Sequence, residues 1–290
     1  MLLVSTIIVT HNRRLEVLQC IDSVLRSTYK EIEVIVVDNN STDGTKESLR
    51  LYCDKIKLIE SSKNLYAGGG RRLGYLFATG DFYLFVDDDN IVASDMIENL
   101  IKINSRYTDI GISGPMTCSQ EDPYHLCWTN NSINLITSRT TIQGIREVDC
   151  GQFDEILEVG HIPNIFMLSK SVWNLVGGID KDYVMHYEES DLAEKVKRIS
   201  KRIVLVPSAY AWHNLNKSFQ DNPEINYYIS RNRILFMRKN SSGIKLVIFL
   251  LVFSPMFLIY NLIQVLKNKK YNLVKPILKG FVDAHRSINR

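Results

Sequence analysis

Four apolar runs alternate with four stretches of helical period across the first hundred residues. No other feature of this 290-residue chain restricts its fold as strongly. "VSTIIVT" (4–10) is β-branched and continuous, the pattern of a strand covered on both faces, and "EIEVIVVD" (31–38), "IKLIES" (56–61) and "DFYLFVD" (81–87) read as three further strands. Between them, "RRLEVLQCIDSVLRS" (13–27) puts Leu15, Leu18, Ile21, Val24 and Leu25 on one helical face. "STDGTKESLRLYC" (41–53) opens with cap and turn residues before running helical. "AGGGRRLGYLFAT" (67–79) reads as the third helix, and "SDMIENLIKIN" (94–104) as the fourth, with Ser94 as its N-cap. Short connections between such elements predict a doubly wound parallel α/β sheet with helices on both faces.

The rhythm changes after "DIGISGP" (109–115). Residues 118–160 are polar and lack a helical period, which predicts short antiparallel strands or a long functional loop. "NIFMLSKSVWNLVGGID" (164–180) reads as a strand, a short helix and a Gly-Gly turn. "EESDLAEKVKRIS" (188–200) is an amphipathic helix and "RIVLVPSAYAWH" (202–213) a strand. A first unit thus spans 1–240, and a helical membrane-associating tail spans 241–290. In the tail, "IKLVIFLLVFSPMFLIYNLIQVL" (244–266) approaches the roughly 20 apolar residues of a membrane span. Pro255, Asn261 and Gln264 interrupt it, and the bases that follow, from Lys267 to Arg290, oppose carrying its far end across a membrane. The expectation is a re-entrant or interfacial helix hairpin at the cytoplasmic face, ahead of a single span.

Composition narrows the class. A net charge of +3 is too small to argue for nucleic acid, and the basic excess sits in the apolar tail, which points to an anionic membrane surface. The five cysteines are scattered, odd in number and without a Cys-x-x-Cys pair. That argues against a disulfide framework or a zinc site and fits a reducing cytoplasm. "MLLVSTIIVTHN" lacks a cationic start and a small-residue cleavage site, so it reads as a buried strand rather than a signal peptide.

In open α/β sheets ligands bind beyond the carboxyl ends of the strands. The strands end at Thr10-His11-Asn12, at Asp38, at "SSKNLYAGGGRR" and at Asp87-Asp88-Asp89, so four polar clusters fall on one rim. Three adjacent carboxylates repel unless a cation sits among them, and at a strand end on this rim they point to a metal. "AGGGRRLG" does not fit the spacing of a dinucleotide fingerprint and follows the third strand, which argues against a nicotinamide cofactor. "MHYEESDL" brings Glu188, Glu189 and Asp191 to a helix start, one acid more than dipole compensation explains well. His213, just past a strand, is of a type able to complete an Asp/Asp/His metal site.

The order "TIIVTHN", "VIVVDNNSTDGT", "NLYAGGGRRLGYLFATGDFYLFVDDD", "GGID", "YEESDL", "AWH" resembles the family 2 glycosyltransferases over roughly residues 3 to 240, most closely their rhamnosyltransferase-like and galactofuranosyltransferase-like branch. The resemblance implies a GT-A fold, a Rossmann-like mixed sheet with helices on both faces. It divides the first unit into a nucleotide-binding half (1–116) and an acceptor-binding half (117–240). It implies inverting, metal-dependent transfer from a nucleotide-diphosphate sugar, a UDP- or dTDP-sugar by expectation, to a glycan or lipid-linked acceptor. Thr10, Asn12 and Asp38 would line the base and ribose pocket, and Asn64 and Arg71 would hold nucleotide and phosphates. Asp89 would ligate Mn²⁺ or Mg²⁺, completed by His213, with Asp87 supporting it or the ribose and Asp88 on the ribose. Gly177, Gly178 and Asp180 would form the loop under donor sugar and acceptor, beside Glu188. The family's Glu-Asp pair is Glu188–Glu189 here, which makes Glu189 the expected base and Asp191 the alternative. Leu65 stands where a glycine is usual. Cell-surface polysaccharide or glycoconjugate synthesis is the implied setting, with an oligomer left open. A sugar-nucleotide pyrophosphorylase-like enzyme and a non-catalytic glycan- or lipid-binding subunit are the rival readings.

Overall fold

The computed structural model describes residues 1–214 and 221–286; Arg290 of the basic tail lies outside them. Strands β1 (Val4–Thr10), β2 (Ile32–Asp38), β3 (Lys57–Glu60) and β4 (Phe82–Asp87) run parallel in the spatial order β4-β1-β2-β3. Their crossovers carry α1 (Arg14–Leu25), α2 (Thr45–Arg50) and α3 (Tyr66–Tyr75). Alternate residues feed two cores. Ile8, Val36, Leu84 and Val86 pack on one face of the sheet, and Ile7, Ile35, Tyr83 and Phe85 on the other. Val17, Cys20, Ile21 and Val24 form the inner face of α1, whereas Leu15 is exposed.

The triple glycine is a packing device. A Cβ on Gly70 would lie 2.4 Å from Val9 Cγ1, and one on Gly68 would lie 2.5 Å from the Tyr183 carbonyl oxygen. Helix α3 therefore rests directly on β1 and on the loop before the acid pair.

After β4 come β5 (Asn90–Val92), α4 (Met96–Arg106) and β6 (Ile110–Ser119). The N-cap of α4 is Asp95, not Ser94, whose carbonyl instead accepts from Thr28 N. The polar stretch 118–160 holds β7 (Leu126–Trp128), a hairpin of β8 (Asn130–Ile133) and β9 (Thr140–Gln143), and the short β10 (Leu157–Glu158), all antiparallel to their partners. Next are β11 (Ile165–Ser169), α5 (Lys170–Val176), α6 (Glu188–Arg198) and β12 (Arg202–His213). The sheet runs β10-β12-β6-β11-β4-β1-β2-β3, with β5 paired to β12 and β7 to β6. Strand β11 lies antiparallel between β4 and β6, so the sheet is mixed rather than wholly parallel. This insertion places Asn164 against the end of β4, where its carbonyl accepts from Asp87 N at 3.1 Å.

Helix α7 (Pro223–Asn240) starts with Asn222, whose side chain accepts from Glu224 N and Ile225 N, and with Pro223 in the first turn. The tail then forms one uninterrupted helical run, not a hairpin within 244–266. It comprises α8 (Gly243–Ile248), a π turn (Phe249–Phe253) and α9 (Ser254–Lys267). Pro255 falls in the first turn of α9, and the π turn before it absorbs the missing hydrogen bond. The chain reverses at Tyr271–Leu273 into α10 (Val274–Arg286), which packs on α7 and α9. One side of α9 faces α7, with the Arg233 guanidinium 4.0 Å from the Phe257 ring centroid. Met256, Ile259 and Ile263 of α9 are exposed, as is Leu251 in the π turn before it.

Candidate active site

A cavity of about 490 Å³ opens beyond the carboxyl ends of β1 and β4. Thr10, His11 and Arg13 line it from the first loop, Asn39 from the second, and Asn64, Tyr66 and Arg71 from the third loop and α3. The acidic triplet, Asn164, Met185, His186, Glu188, Glu189 and His213 close it, with Asn222, Glu224 and Ile225 from the start of α7.

Arg71 is the hub. Its side chain is 2% exposed, and it donates to Asp87 Oδ1 at 2.5 Å, Glu189 Oε1 at 2.7 Å and Glu188 Oε1 at 3.3 Å. One guanidinium thus ties the end of β4 to the start of α6. Burial raises the Asp87 pKa, partly offset by Arg71. Burial and the neighbouring Glu189 raise that of Glu188. Glu189 moves the other way: burial opposes its ionisation, but the charge and hydrogen bond of Arg71 outweigh that, and its pKa falls. Two adjacent carboxyls are therefore split into one that favours its proton and one that favours its charge, the usual signature of divided acid and base roles. His161 is held neutral, its pKa pushed down to about 4 by burial.

The acid pair is presented by a strained turn. His186 (φ 64°) and Tyr187 (φ 71°) both adopt the left-handed region, costly for side chains of this size. Asn232 of α7, fully buried, donates from its Nδ2 to the carbonyls of Met185 and His186 and pins that turn.

Arg13 crosses to the other side of the triplet, donating from Nη1 to Asp88 Oδ1 at 2.8 Å and Asp89 Oδ2 at 2.6 Å. Burial pushes Asp88 up to about 7 despite Arg13. Asp89 stays low: burial acts against it, and His213 and Arg13 overcome that. His213 Nε2 lies 3.4 Å from Asp89 Oδ1.

Not every expected residue lines the cavity. Asp38 is fully buried and accepts from Ser41 N. Asn12 Oδ1 accepts from Thr42 N at 2.7 Å. Both bond loop backbone rather than line the cavity, Asp38 buried and Asn12 exposed, and their neighbours Asn39 and His11 take the lining positions. Asp191 turns away, paired with Lys195 at 3.2 Å and accepting from Asn240 Nδ2 at 2.9 Å. Asp180 is bound to Lys239 at 2.7 Å. Gly177 ends α5 in the left-handed region (φ 73°), and Gly178 packs on Trp173. None of these four lines the cavity. Asp87 faces Arg71 rather than the Asp89–His213 pair, and among the described residues no three acidic, histidine or cysteine side chains converge as a metal centre. Arg13, Tyr66, His186 and Asn222 are lining residues that the sequence reading missed.

The Asp89–His213 pair nevertheless fits a divalent ion that draws further ligands from substrate. A carboxylate and an imidazole suit Mn²⁺, and the two donor atoms lie 3.4 Å apart in the cavity lining. Charge agrees, since even with Glu188 holding its proton four carboxyls (Asp87, Asp88, Asp89, Glu189) face two guanidiniums.

A mixed sheet whose strand ends gather an acidic triplet, joined through one buried arginine to a second acid pair in the wall of the same cavity, defines the GT-A class. Solved structures share this fold. A GalNAc-T7 complex with UDP, GalNAc and Mn²⁺ aligns with TM-score 0.64 at 16% identity, over 74% of this chain and 44% of that one. The mannosyltransferase PcManGT of Pyrobaculum calidifontis, in complex with GDP-Man and Mn²⁺, aligns with TM-score 0.59 at 14% identity, over 99% of this chain and 88% of that one. The chain belongs to glycosyl transferase family 2, whose family model matches residues 5–172. Among curated relatives, glycosyltransferase GlyG of Streptococcus pneumoniae serotype 4 is 22% identical over 178 residues, 60% of this chain and 59% of the relative. The Escherichia coli protein WfgD, named a UDP-Glc:α-D-GlcNAc-diphosphoundecaprenol β-1,3-glucosyltransferase, is 32% identical over 102 residues, 35% of this chain and 40% of the relative. The chain spans less than two thirds of these relatives.

Proposed function

We propose that this chain is an inverting, divalent-cation-dependent glycosyltransferase. It moves a hexose or deoxyhexose from a UDP- or dTDP-sugar to a hydroxyl of a glycan or lipid-linked acceptor at the cytoplasmic face of a membrane, in cell-surface polysaccharide or glycoconjugate synthesis. The observation that carries the reading is Arg71, which ties the acidic end of β4 directly to the Glu188–Glu189 pair in the wall of one cavity.

Glu189, the ionised member of its pair, takes the proton of the acceptor hydroxyl, a contribution of roughly 10²–10⁴ in rate. Arg71 fixes its carboxylate, and the buried Glu188 supports that pairing. Asp89 and His213 hold the cation, and Asp88, Asn64 and Thr10 face the nucleotide. When bound, Mn²⁺ or Mg²⁺ offsets the charge that develops on the leaving diphosphate. Fixing acceptor and donor on opposite sides of the anomeric carbon gives in-line displacement, hence inversion, and supplies much of the remaining acceleration.

The tail supports the location. Its outward apolar face runs beside Lys267, Lys269, Lys275 and Lys279, the composition of a helix lying in an anionic interface. WfgD and a Campylobacter jejuni relative, 32% identical over 111 residues, carry names that specify undecaprenol-linked acceptors.

The test is sugar transfer to a polyprenyl-diphosphate-linked acceptor from a panel of UDP-, dTDP- and GDP-sugars, with Mn²⁺, with Mg²⁺ and with a chelator, followed by NMR assignment of the product anomer. Cation-dependent transfer with inversion is expected. Retention of configuration, or transfer undiminished by chelator, overturns the mechanism. Formation of a nucleotide sugar from sugar 1-phosphate and nucleoside triphosphate, with no transfer, would establish the pyrophosphorylase reading instead.

A further inference from the structure

Arg13 enters the cavity opposite Arg71. It stands at the N-terminal boundary of α1, directly after Asn12, whose left-handed backbone (φ 53°) turns the chain there. Its side chain, 16% exposed, reaches two members of the triplet through one nitrogen. Asp89 is consequently divided. Its Oδ2 is committed to a guanidinium, and its Oδ1 faces the imidazole of His213.

A guanidinium keeps its charge at any working pH, so this positive charge is a permanent part of the site. Beside the Asp89–His213 pair it repels an incoming divalent ion. Even at an effective dielectric of about 20, a unit charge some 5 Å from a doubly charged ion changes its affinity by well over tenfold. The same charge attracts a diphosphate. Among the described residues Asp89 and His213 supply two donors for the ion, fewer than Mn²⁺ or Mg²⁺ takes, which leaves coordination positions for the nucleotide and water.

We propose that Arg13 is a built-in cation that makes capture of the divalent ion at Asp89 and His213 depend on the donor's diphosphate. It weakens binding of the ion alone and joins the ion in holding the phosphates. By reciprocity, the ion raises nucleotide affinity by the factor by which nucleotide raises ion affinity. The inference rests on the cation-dependent reading proposed above.

The experiment titrates Mn²⁺ into the full chain and follows free Mn²⁺ by electron paramagnetic resonance, with and without UDP. Wild type, Arg13→Gln and Arg13→Lys are compared, with circular dichroism confirming that each variant is folded. Arg13→Gln is expected to bind Mn²⁺ alone at least about tenfold more tightly than wild type, and to bind UDP in saturating Mn²⁺ at least about tenfold more weakly. Arg13→Lys, which keeps the charge, is expected to stay near wild type in both. Unchanged or weaker Mn²⁺ binding by folded Arg13→Gln overturns the inference and leaves the cation-dependent reading standing. Should Arg13→Gln not fold, Arg13→Lys decides, and a tenfold departure of its Mn²⁺ affinity from wild type overturns the inference. A wild-type chain that holds no Mn²⁺ even with UDP overturns the cation-dependent reading and this inference together.

Discussion

Replacing Arg71 with leucine removes the only guanidinium that Asp87, Glu188 and Glu189 contact among the described residues. The side chains of Arg71 and Glu188 are 2% and 3% exposed, so one partner of a buried pairing disappears while the carboxylates remain. Breaking such a pairing costs about 3–5 kcal/mol. Asp87, 30% exposed, is partly screened by solvent, which favours the lower end. At about 2–4 °C per kcal/mol for a chain of this size, about 3 kcal/mol lowers Tm by roughly 6–12 °C. The loss has a direction in pH. Without Arg71 the orphaned carboxyls bind protons more tightly folded than unfolded. Their stability contribution is then present below the ordinary carboxylate range and is lost as pH rises through the raised folded values. Differential scanning calorimetry of variant and parent at pH 5 and pH 7.5 is therefore expected to show the smaller deficit at pH 5. A Tm loss under about 2 °C, or an equal deficit at both values, refutes the role of Arg71 as hub.

Glu189→Gln keeps an acceptor for Arg71 yet loses the base; transfer falls about 10²–10⁴-fold with nucleotide affinity by calorimetry unchanged. Asp191→Asn is expected to retain turnover within about threefold while lowering Tm, since it breaks the Lys195 pairing; a loss as deep as that of Glu189→Gln would move the base to Asp191. Asn232→Ala frees the strained turn that presents the acid pair, so kcat falls about tenfold or more with donor KM steady, and equal change in both would deny it a positioning role. Leu251→Glu with Ile259→Glu and Ile263→Glu is expected to abolish flotation with phosphatidylglycerol vesicles, while hydrolysis of the donor by water persists.

The local layers of this fold are legible in the sequence because both periods, two for strands and 3.6 for helices, are written residue by residue. The β1–β4 and α1–α4 segments appear where the pattern puts them, within a few residues. The antiparallel course of β11 is not legible, since a strand covered on both faces carries no mark of its direction. The acidic triplet and Glu189 stand out by charge density at element ends. Arg13 does not, because an arginine at a helix start looks like any solvated base, and only the distant Asp88 and Asp89 give it meaning. Asp180 and Asp191 lie outside the cavity lining for a reason the sequence does not mark. Their acidity is noted in sequence, but Lys239 and Lys195, which neutralise them, are recognisable as partners only once the helices pack.

Helix α7 begins at the cavity wall with Asn222, Glu224 and Ile225 and ends bonded to the tail, where Arg238 donates to the Ala284 carbonyl at 2.6 Å. The pocket and the tail helices are thus built on one shared beam. A helical segment joined by a loose linker can be exchanged between relatives like a cassette. This one cannot, because a foreign tail would have to reproduce the surface that keeps α7, and with it the turn before Glu188, in place. Recombination within the family should therefore carry residues 223–286 as a single inherited block.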